Sequence, residues 1–446
     1  MVDLDLEIEA ARLVAYEVAY LQSQGEVPSI EGSVAKILGT QLAQKVAKIA
    51  TDFSGLYGQL SDSHAPFDGK YLNQQLTVTA YTIFAGTTEI QKMLQESSRN
   101  FLEENCTMDF IRAMESDDIG ITDEIWKNMS EMGWLGLMIP EEYGGSGFDF
   151  DDMSILLEEM GRVGLSGPFF STSVIGVQTL LLSGSEEQKK DLLSKISSGS
   201  LRISLAFNEK TGNFDESEVT TTIANKNDSN WIINGEKLFV NDAVGADYFI
   251  VASKSDESEG ISLYLIPSDS EGIEIEKMES IGGEKLYKVS FNEIKVDNSQ
   301  ILGKEGNGWS TLSKVINFGA SGKSSEMSGA ASKIMDMTLD YIKDRKQFDR
   351  PIGSFQAVQH HAADMAILTK VSTQFARKAA WKLSKTEESQ IDVNRSKAYV
   401  SKAFHDICQI SHQLHGAIGY TWDYDCLLYT SPSPRDIRRS RMPSSA

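Results

Sequence analysis

Apolar residues recur at helical spacing through most of the chain and switch to strand spacing only in its middle. Met153, Leu156, Leu157, Met160 and Val163 occupy the i, i+3, i+4, i+7 positions of a buried helical stripe. Ser185 followed by Gln188 forms a capping box that opens another helix, and Gly199 is placed to end it. Between about Ile203 and Val296 the pattern becomes short β-rich runs: Trp231 to Ile233, Lys237 to Val240, Tyr248 to Ala252, Ile261 to Ile266, Ile273 to Met278 and Leu286 to Phe291. Asn234 and Gly235 separate two of these runs and predict a tight hairpin turn, while the close spacing of the strands predicts a compact barrel or sandwich. Helical stripes return after Gly308, with Leu312, Val315 and Ile316 and then Met327, Ala330, Ala331 and Ile334, and predict an antiparallel bundle reaching Gly416. The fold class expected is α+β and multidomain: an all-α N-domain, a β-barrel or sandwich middle domain and an α-helical bundle C-domain.

An internal repeat precedes this series. Residues 9–58 and 374–420 both read as helix, loop, helix and glycine turn, ending at Gly55 to Gly58 in one and at Gly416 to Tyr420 in the other. Arg12 pairs with Arg377, and the final glycines align if the second loop is four residues shorter. The domains expected are therefore 1–95, a partial helical C-domain of a first copy; 96–202, the helical N-domain; 203–303, the β domain; and 304–426, a truncated helical C-domain. Residues 427–446 carry four arginines against one aspartate, with repeated Ser and Pro, in an otherwise acidic chain. They read as a disordered tail foreign to the fold, a cloning or assembly scar or else a basic recognition tail.

At 446 residues the chain exceeds one typical core, and 41% hydrophobic with 24% charged residues is ordinary for a soluble globular protein. A formal net charge of -22 argues against non-specific nucleic-acid binding and leaves room for a local basic patch facing an anionic substrate. Cys106, Cys408 and Cys426 make neither a disulfide framework nor a metal motif, which suits a reducing compartment. The acidic start lacks the features of a signal or transit peptide, and the run from Pro168 to Leu182 is too short and too polar for a membrane span. A cytoplasmic location is the default expectation.

Five stretches carry chemistry. They are Phe84-Ala85-Gly86-Thr87-Thr88-Glu89-Ile90-Gln91, Pro140 to Gly147, Asn234 to Val240, Arg345-Lys346-Gln347-Phe348, and Gln413 to Tyr420. Together, over roughly residues 5 to 425, they resemble the motifs of acyl-CoA dehydrogenases, the first being a C-terminal flavin-site motif that here lies near the N-terminus. The chain thus resembles a C-terminal fragment of one family copy fused to a nearly complete second copy. The resemblance implies FAD-dependent α,β-dehydrogenation of an acyl-CoA thioester in fatty acid metabolism, electron-transfer flavoprotein as acceptor, and a homo- or hetero-oligomer. It also implies that Phe239, Val240 and Asn241 line the isoalloxazine ring and that Thr87 and Glu89 contact flavin in the first copy. Arg345, Phe348, Gln413 and Gly416 would reach the pyrophosphate and adenosine of a flavin held by a neighbouring subunit. Two departures stand out. Asn208-Glu209-Lys210 with Gly212-Asn213 replaces the family's Thr-Glu-Pro and Gly-Ser, and Asp52 stands where Gln413 stands in the second copy, so that a carboxylate would repel the diphosphate.

Such a reaction needs a base for the α-proton, and the position where many relatives hold that glutamate is Ala85. Glu326 is the candidate substitute: some relatives carry the base at the position of Gly319, and Glu326 lies seven residues further along the same helical face. A capped or partner-bonded structural glutamate is its bland alternative, and a non-catalytic FAD-binding or structural subunit is the alternative for the whole chain. Asn317 to Ser324 nearly matches a phosphate-binding P-loop but sits within helical periodicity. His360, His361, His405, His412 and His415 lack the Glu-x-x-His pairs of a di-metal site, so no metal is expected. Ser146 is not a nucleophile elbow, because Phe148 occupies the place of the required glycine.

Overall fold

The structure, a computed structural model, describes residues 85–429 apart from 211, 221, 228–229, 256–259, 281–283, 386–388, 422–424 and 426–427, together with scattered positions between 12 and 52. The chain divides into two compact units, Met1–Met93 and Leu94–Ala446. In the first, the described positions from Arg12 to Gln22 and from Leu42 to Asp52 are helical and Gln24 is a turn residue, while Gly55 to Gly58 lies outside the described residues. Helix α1 (Ala85–Asn105) carries the backbone of Thr87 and Glu89, but their side chains also lie outside the described set.

The second unit begins as a helical layer. After α1 come α2 (Met108–Ser116), α3 (Asp123–Glu131) and α4 (Phe150–Val163). Helix α4 is started by Asp149, whose carboxylate forms a capping box with Asp152, and ended by left-handed Gly164. All five residues of its sequence stripe are buried. The apolar run that follows folds as a π-helical turn (Phe170–Gly176) passing into α5 (Val177–Ser183). Helix α6 (Glu186–Ser197) has the Ser185/Gln188 capping box and is followed by Gly199 at φ +75. Among the described residues no helix is long and apolar enough to cross a membrane.

Eight strands form one sheet: β1 (Ile203–Ala206), β2 (Ile223–Asn227), β3 (Asn230–Asn241), β4 (Tyr248–Ser255), β5 (Ile261–Pro267), β6 (Ile273–Met278), β7 (Leu286–Asp297) and β8 (Ile301–Leu302). Their order is β6-β7-β3-β2-β4-β5-β8, with β1 parallel to β4. The β middle domain expected from the sequence is thus present as this sheet, and among the described residues it does not close into a barrel. Trp231, Ile233, Val240, Phe249, Tyr264 and Phe291 fill the core on one face.

The hairpin expected at Asn234-Gly235 is also corrected. Both residues lie inside the continuous strand β3, and the register against β7 shifts between Ile233 and Gly235. Gly235 has φ +146, and a Cβ there would lie 2.5 Å from Thr222 Cα, so glycine serves a bulge and a close approach rather than a turn.

Three long helices close the unit: α7 (Gly308–Asp344), α8 (Gln356–Lys385) and α9 (Gln390–His415), with a small hairpin of β9 (Lys346–Gln347) and β10 (Arg350–Pro351) between the first two. Glycines let α7 cross α4 at backbone contact, since a Cβ on Gly161 would strike the carbonyl of Glu326 and one on Gly329 that of Glu158. The P-loop-like stretch is interior to α7, preceded and followed directly by helix rather than opening a helix after a strand. Left-handed Gly416 ends α9. The disorder expected for residues 427–446 does not extend to Leu428 and Tyr429. Tyr429 is buried and donates its hydroxyl to the Arg162 carbonyl at 2.7 Å, and Leu428 packs on the same cluster. Residues 430–446 lie outside the described set.

Candidate functional site

A second bulge in β3, between Lys237 and Val240, turns Phe239 out of the sheet with a left-handed backbone, φ 57. Phe239 is 39% exposed and Asn241 is exposed as well, whereas Val240 is buried in the sheet core. Of the three residues assigned to the ring-lining wall, two therefore present side chains and Val240 offers only backbone.

The loop 207–212 backs this wall. Asn208 accepts the Leu238 amide at 2.8 Å through its carbonyl, and its side-chain Oδ1 is buried without a hydrogen-bond partner. Gly212 lies beside the Phe239 ring, where a Cβ would be 3.4 Å from Cε2. Beneath the loop, fully buried Lys237 donates to the Phe207 carbonyl and to Glu209 Oε1, both at 3.0 Å. Burial pulls the Lys237 amine down to about 8, against the opposing pull of Glu209. Glu209 also accepts the amides of Thr220 and Thr222 at 2.9 and 3.1 Å, and Glu218 accepts those of Glu209 and Gly212 at 3.1 Å. The loop is thereby clamped to the back of the sheet.

Phe348 and Asp349 form a two-residue turn joining β9 to β10, both left-handed at φ 55 and 62. Phe348 is 87% exposed at its tip. A cavity of about 380 Å³ is lined by Phe348, Phe355, His361, Gln413 and their neighbours. Two of the four sequence candidates for the pyrophosphate and adenosine thus share one cavity. Arg345 stands exposed at the C-cap of α7, and Gly416 caps α9; neither lines that cavity. Among the described residues no group of three His, Cys, Asp or Glu side chains is placed to hold a metal ion.

Polar residues gather where the π-helical turn, the end of β3 and α7 meet. Ser171 donates to the buried carboxyl of Asp242, whose backbone is left-handed at φ 56. Burial pushes the Asp242 carboxyl up to about 6, although the Ser171 hydrogen bond and the charge of Lys323 favour its ionised form. Lys323 binds Glu326 Oε2 at 2.6 Å and lies 4.1 Å from the centroid of the Phe170 ring. Crowding by the surrounding protein lowers the affinity of Lys323 for its proton, but Glu326, Glu284 and Asp242 together more than offset it and the net shift is upward. Glu326, the candidate base, is a partner-bonded carboxylate. Sequence reading missed Asp242, Ser171 and Lys323. It also missed the Lys237–Glu209 pair, which a lysine at an inward-facing register of β3 could have signalled.

An exposed aromatic face on a strand whose neighbouring loop carries a partnerless buried acceptor suits a flat heterocycle bearing an N–H, and an exposed arginine shortly before the cavity-lining Phe348 suits a phosphorylated tail. Residues 88–200 match the acyl-CoA dehydrogenase N-terminal domain, 204–298 its middle domain, and 1–97 with 306–441 its C-terminal domain. The chain belongs to the acyl-CoA dehydrogenase family. Within this family it is 30% identical over 346 residues to a 3-(aryl)acrylate reductase of Clostridium sporogenes, covering 76% of this chain and 91% of the relative. The CarC subunit of the caffeyl-CoA reductase–Etf complex of Acetobacterium woodii is 29% identical over 358 residues, covering 77% and 94%. The crystal structure of acyl-CoA dehydrogenase from Geobacillus kaustophilus superposes with a TM-score of 0.73 at 26% identity, over 78% of this chain and 93% of that one. These family structures share the helical N- and C-domains and the β middle domain seen here.

Proposed function

We propose that the chain binds FAD and catalyses the α,β-dehydrogenation of an acyl-CoA thioester. The observation that carries this reading is the exposed Phe239 face, next to Leu238, whose amide is held by Asn208, a residue with a partnerless side-chain Oδ1. Phe239, Asn241 and Asn208 would hold the isoalloxazine, and Arg345, Phe348, Gln413 and Gly416 the pyrophosphate and adenosine. Bound there, FAD would supply the hydride acceptor. The protein's own contribution is a rigid wall against which the ring would lie, locked from behind by Lys237 and Glu209. Electron-transfer flavoprotein is the acceptor we assign, supported by the Etf complex named for the Acetobacterium woodii relative. The split match of the C-terminal domain to 1–97 and 306–441 supports reading residues 1–95 as part of a further C-domain copy, and the complex named for the Acetobacterium woodii relative supports an oligomer as the working state.

A second reading, a non-catalytic FAD-binding or structural subunit of a heteromeric assembly, is favoured by two observations. The usual base position is Ala85, and Glu326 is engaged by Lys323. A base contributes roughly 10² to 10⁴-fold, so a chain without one turns over slowly or not at all. Purified protein separates the readings: yellow colour bleached by acyl-CoA supports the enzyme, and yellow colour that does not bleach supports the subunit. A colourless protein that gains no colour with added FAD would refute the enzyme and the FAD-binding subunit and leave only a structural subunit. If Glu326 serves as base, Glu326→Gln abolishes bleaching while FAD stays bound.

A further inference from the structure

The polar cluster at α7 bears on the kind of acyl group accepted, on the reading that an acyl-CoA enters this site. Asp242 directly follows Asn241 of the flavin-side wall, and exposed Phe239 and Val244 flank it. Lys323 and Glu326 come from the face of α7 that packs on the π-helical turn, where Gly319 meets Ile175 and Gly322 meets Phe170. The Lys323 side chain is 49% accessible and that of Glu326 23%, so the pair is open to a ligand rather than sealed in the core. Charge from Asp242 and Glu284 also reaches Lys323. On the same two elements Ser173 Oγ and Ser321 Oγ are buried without a hydrogen-bond partner.

An alkyl chain laid against such a wall would strip water from the Lys323 ammonium and the Glu326 carboxylate and return no hydrogen bond, which costs free energy. A ligand carboxylate would face both Glu326 and Asp242, and a ligand ammonium would have to displace Lys323. A hydroxyl brings a donor and an acceptor with no net charge, and it can bridge both partners of an ion pair.

We propose that Lys323 and Glu326, with the Ser171–Asp242 pair behind them, select acyl-CoA thioesters whose acyl group carries a neutral hydrogen-bonding substituent, above all a hydroxyl, over plain alkyl thioesters of equal length.

The test is calorimetric binding to the FAD-loaded full chain of butyryl-, hexanoyl- and octanoyl-CoA and of their ω-hydroxy counterparts. At one length or more the hydroxylated thioester should bind roughly fivefold tighter, about one hydrogen bond. Lys323→Met should erase or invert that preference. Glu326→Gln, a gentler change, should reduce it even if Lys323→Met does not fold. Plain thioesters binding as tightly as their hydroxylated partners at every length would overturn the inference while leaving the proposed function standing. A preference that survives both variants overturns the role of these residues. If no thioester binds although FAD is held, the proposed function fails and this inference with it.

Discussion

Lys237 Nζ and Glu209 Oε1 lie 3.0 Å apart with both side chains shut off from solvent, one on the strand that presents Phe239 and the other on the loop that presents Asn208. Removing one partner of such a pair strands a charge in a low-dielectric interior. Lys237→Met should therefore destabilise the fold by about 3 to 5 kcal/mol. Urea unfolding at neutral pH measures this; a shift worth less than about 1 kcal/mol would show that water reaches the pair.

Asp242 gives a pH dependence whose sign follows from its buried carboxyl. In the unfolded chain it titrates near 3.8 and in the fold near 6, so between these values the native state binds the extra proton. Its contribution to stability is complete below 3.8 and is lost as pH rises through 6, on the order of 3 kcal/mol in all. Comparing unfolding free energies at acidic and neutral pH, Asp242→Asn should flatten this slope relative to the unsubstituted protein. An identical slope in both proteins would mean that the carboxyl is not shielded from water.

Arg345 should matter for flavin and little for folding, because it is exposed at a helix end. Losing one charge-assisted hydrogen bond costs about 1.5 to 3 kcal/mol, which weakens FAD binding roughly 10- to 150-fold in Arg345→Ala. Fluorescence titration of the apoprotein with FAD gives the constant. Phe348→Ala and Gln413→Ala should weaken FAD in parallel, and unchanged affinity in all three would remove the cofactor from the Phe348 cavity.

Tyr429 should act as a core residue. Its ring is buried and its hydroxyl is bonded to the Arg162 carbonyl, so Tyr429→Ala should cost about 3 kcal/mol or more. A chain ending at Cys426 should melt earlier by a similar amount, while one ending at Tyr429 should keep most of its stability. Equal melting temperatures for the two truncations would show that the tyrosine does not pack.

Much of the architecture was legible because it rests on single, unbroken periods. The Met153 to Val163 stripe and the Ser185/Gln188 box need only local geometry, and both appear as expected. The sheet was less legible because β3 changes register twice against β7, and each bulge shifts the alternation from which facing is inferred. Asn234-Gly235 carries the composition of a turn, yet the glycine answers to Thr222 across the sheet, a neighbour on another strand's approach that no local rule sees. Val240 was placed on the flavin wall for the same reason. The meeting of Phe348 with Gln413 was readable from motif order, whereas that of Ser171, Asp242 and Lys323 was not, since three separate elements bring them together.

Gly235 has a reach beyond its own strand. Any side chain there would push Thr222 away, and the Thr222 amide is one of those that hold Glu209, which in turn holds Lys237 and the loop under Phe239. The chain of contact makes the absence of one methyl group a tolerance on the far surface, much as the thickness of a shim sets the alignment of a part it never touches. Drift in this sequence can therefore detune the ring-facing wall from behind, through a position that no ligand would meet.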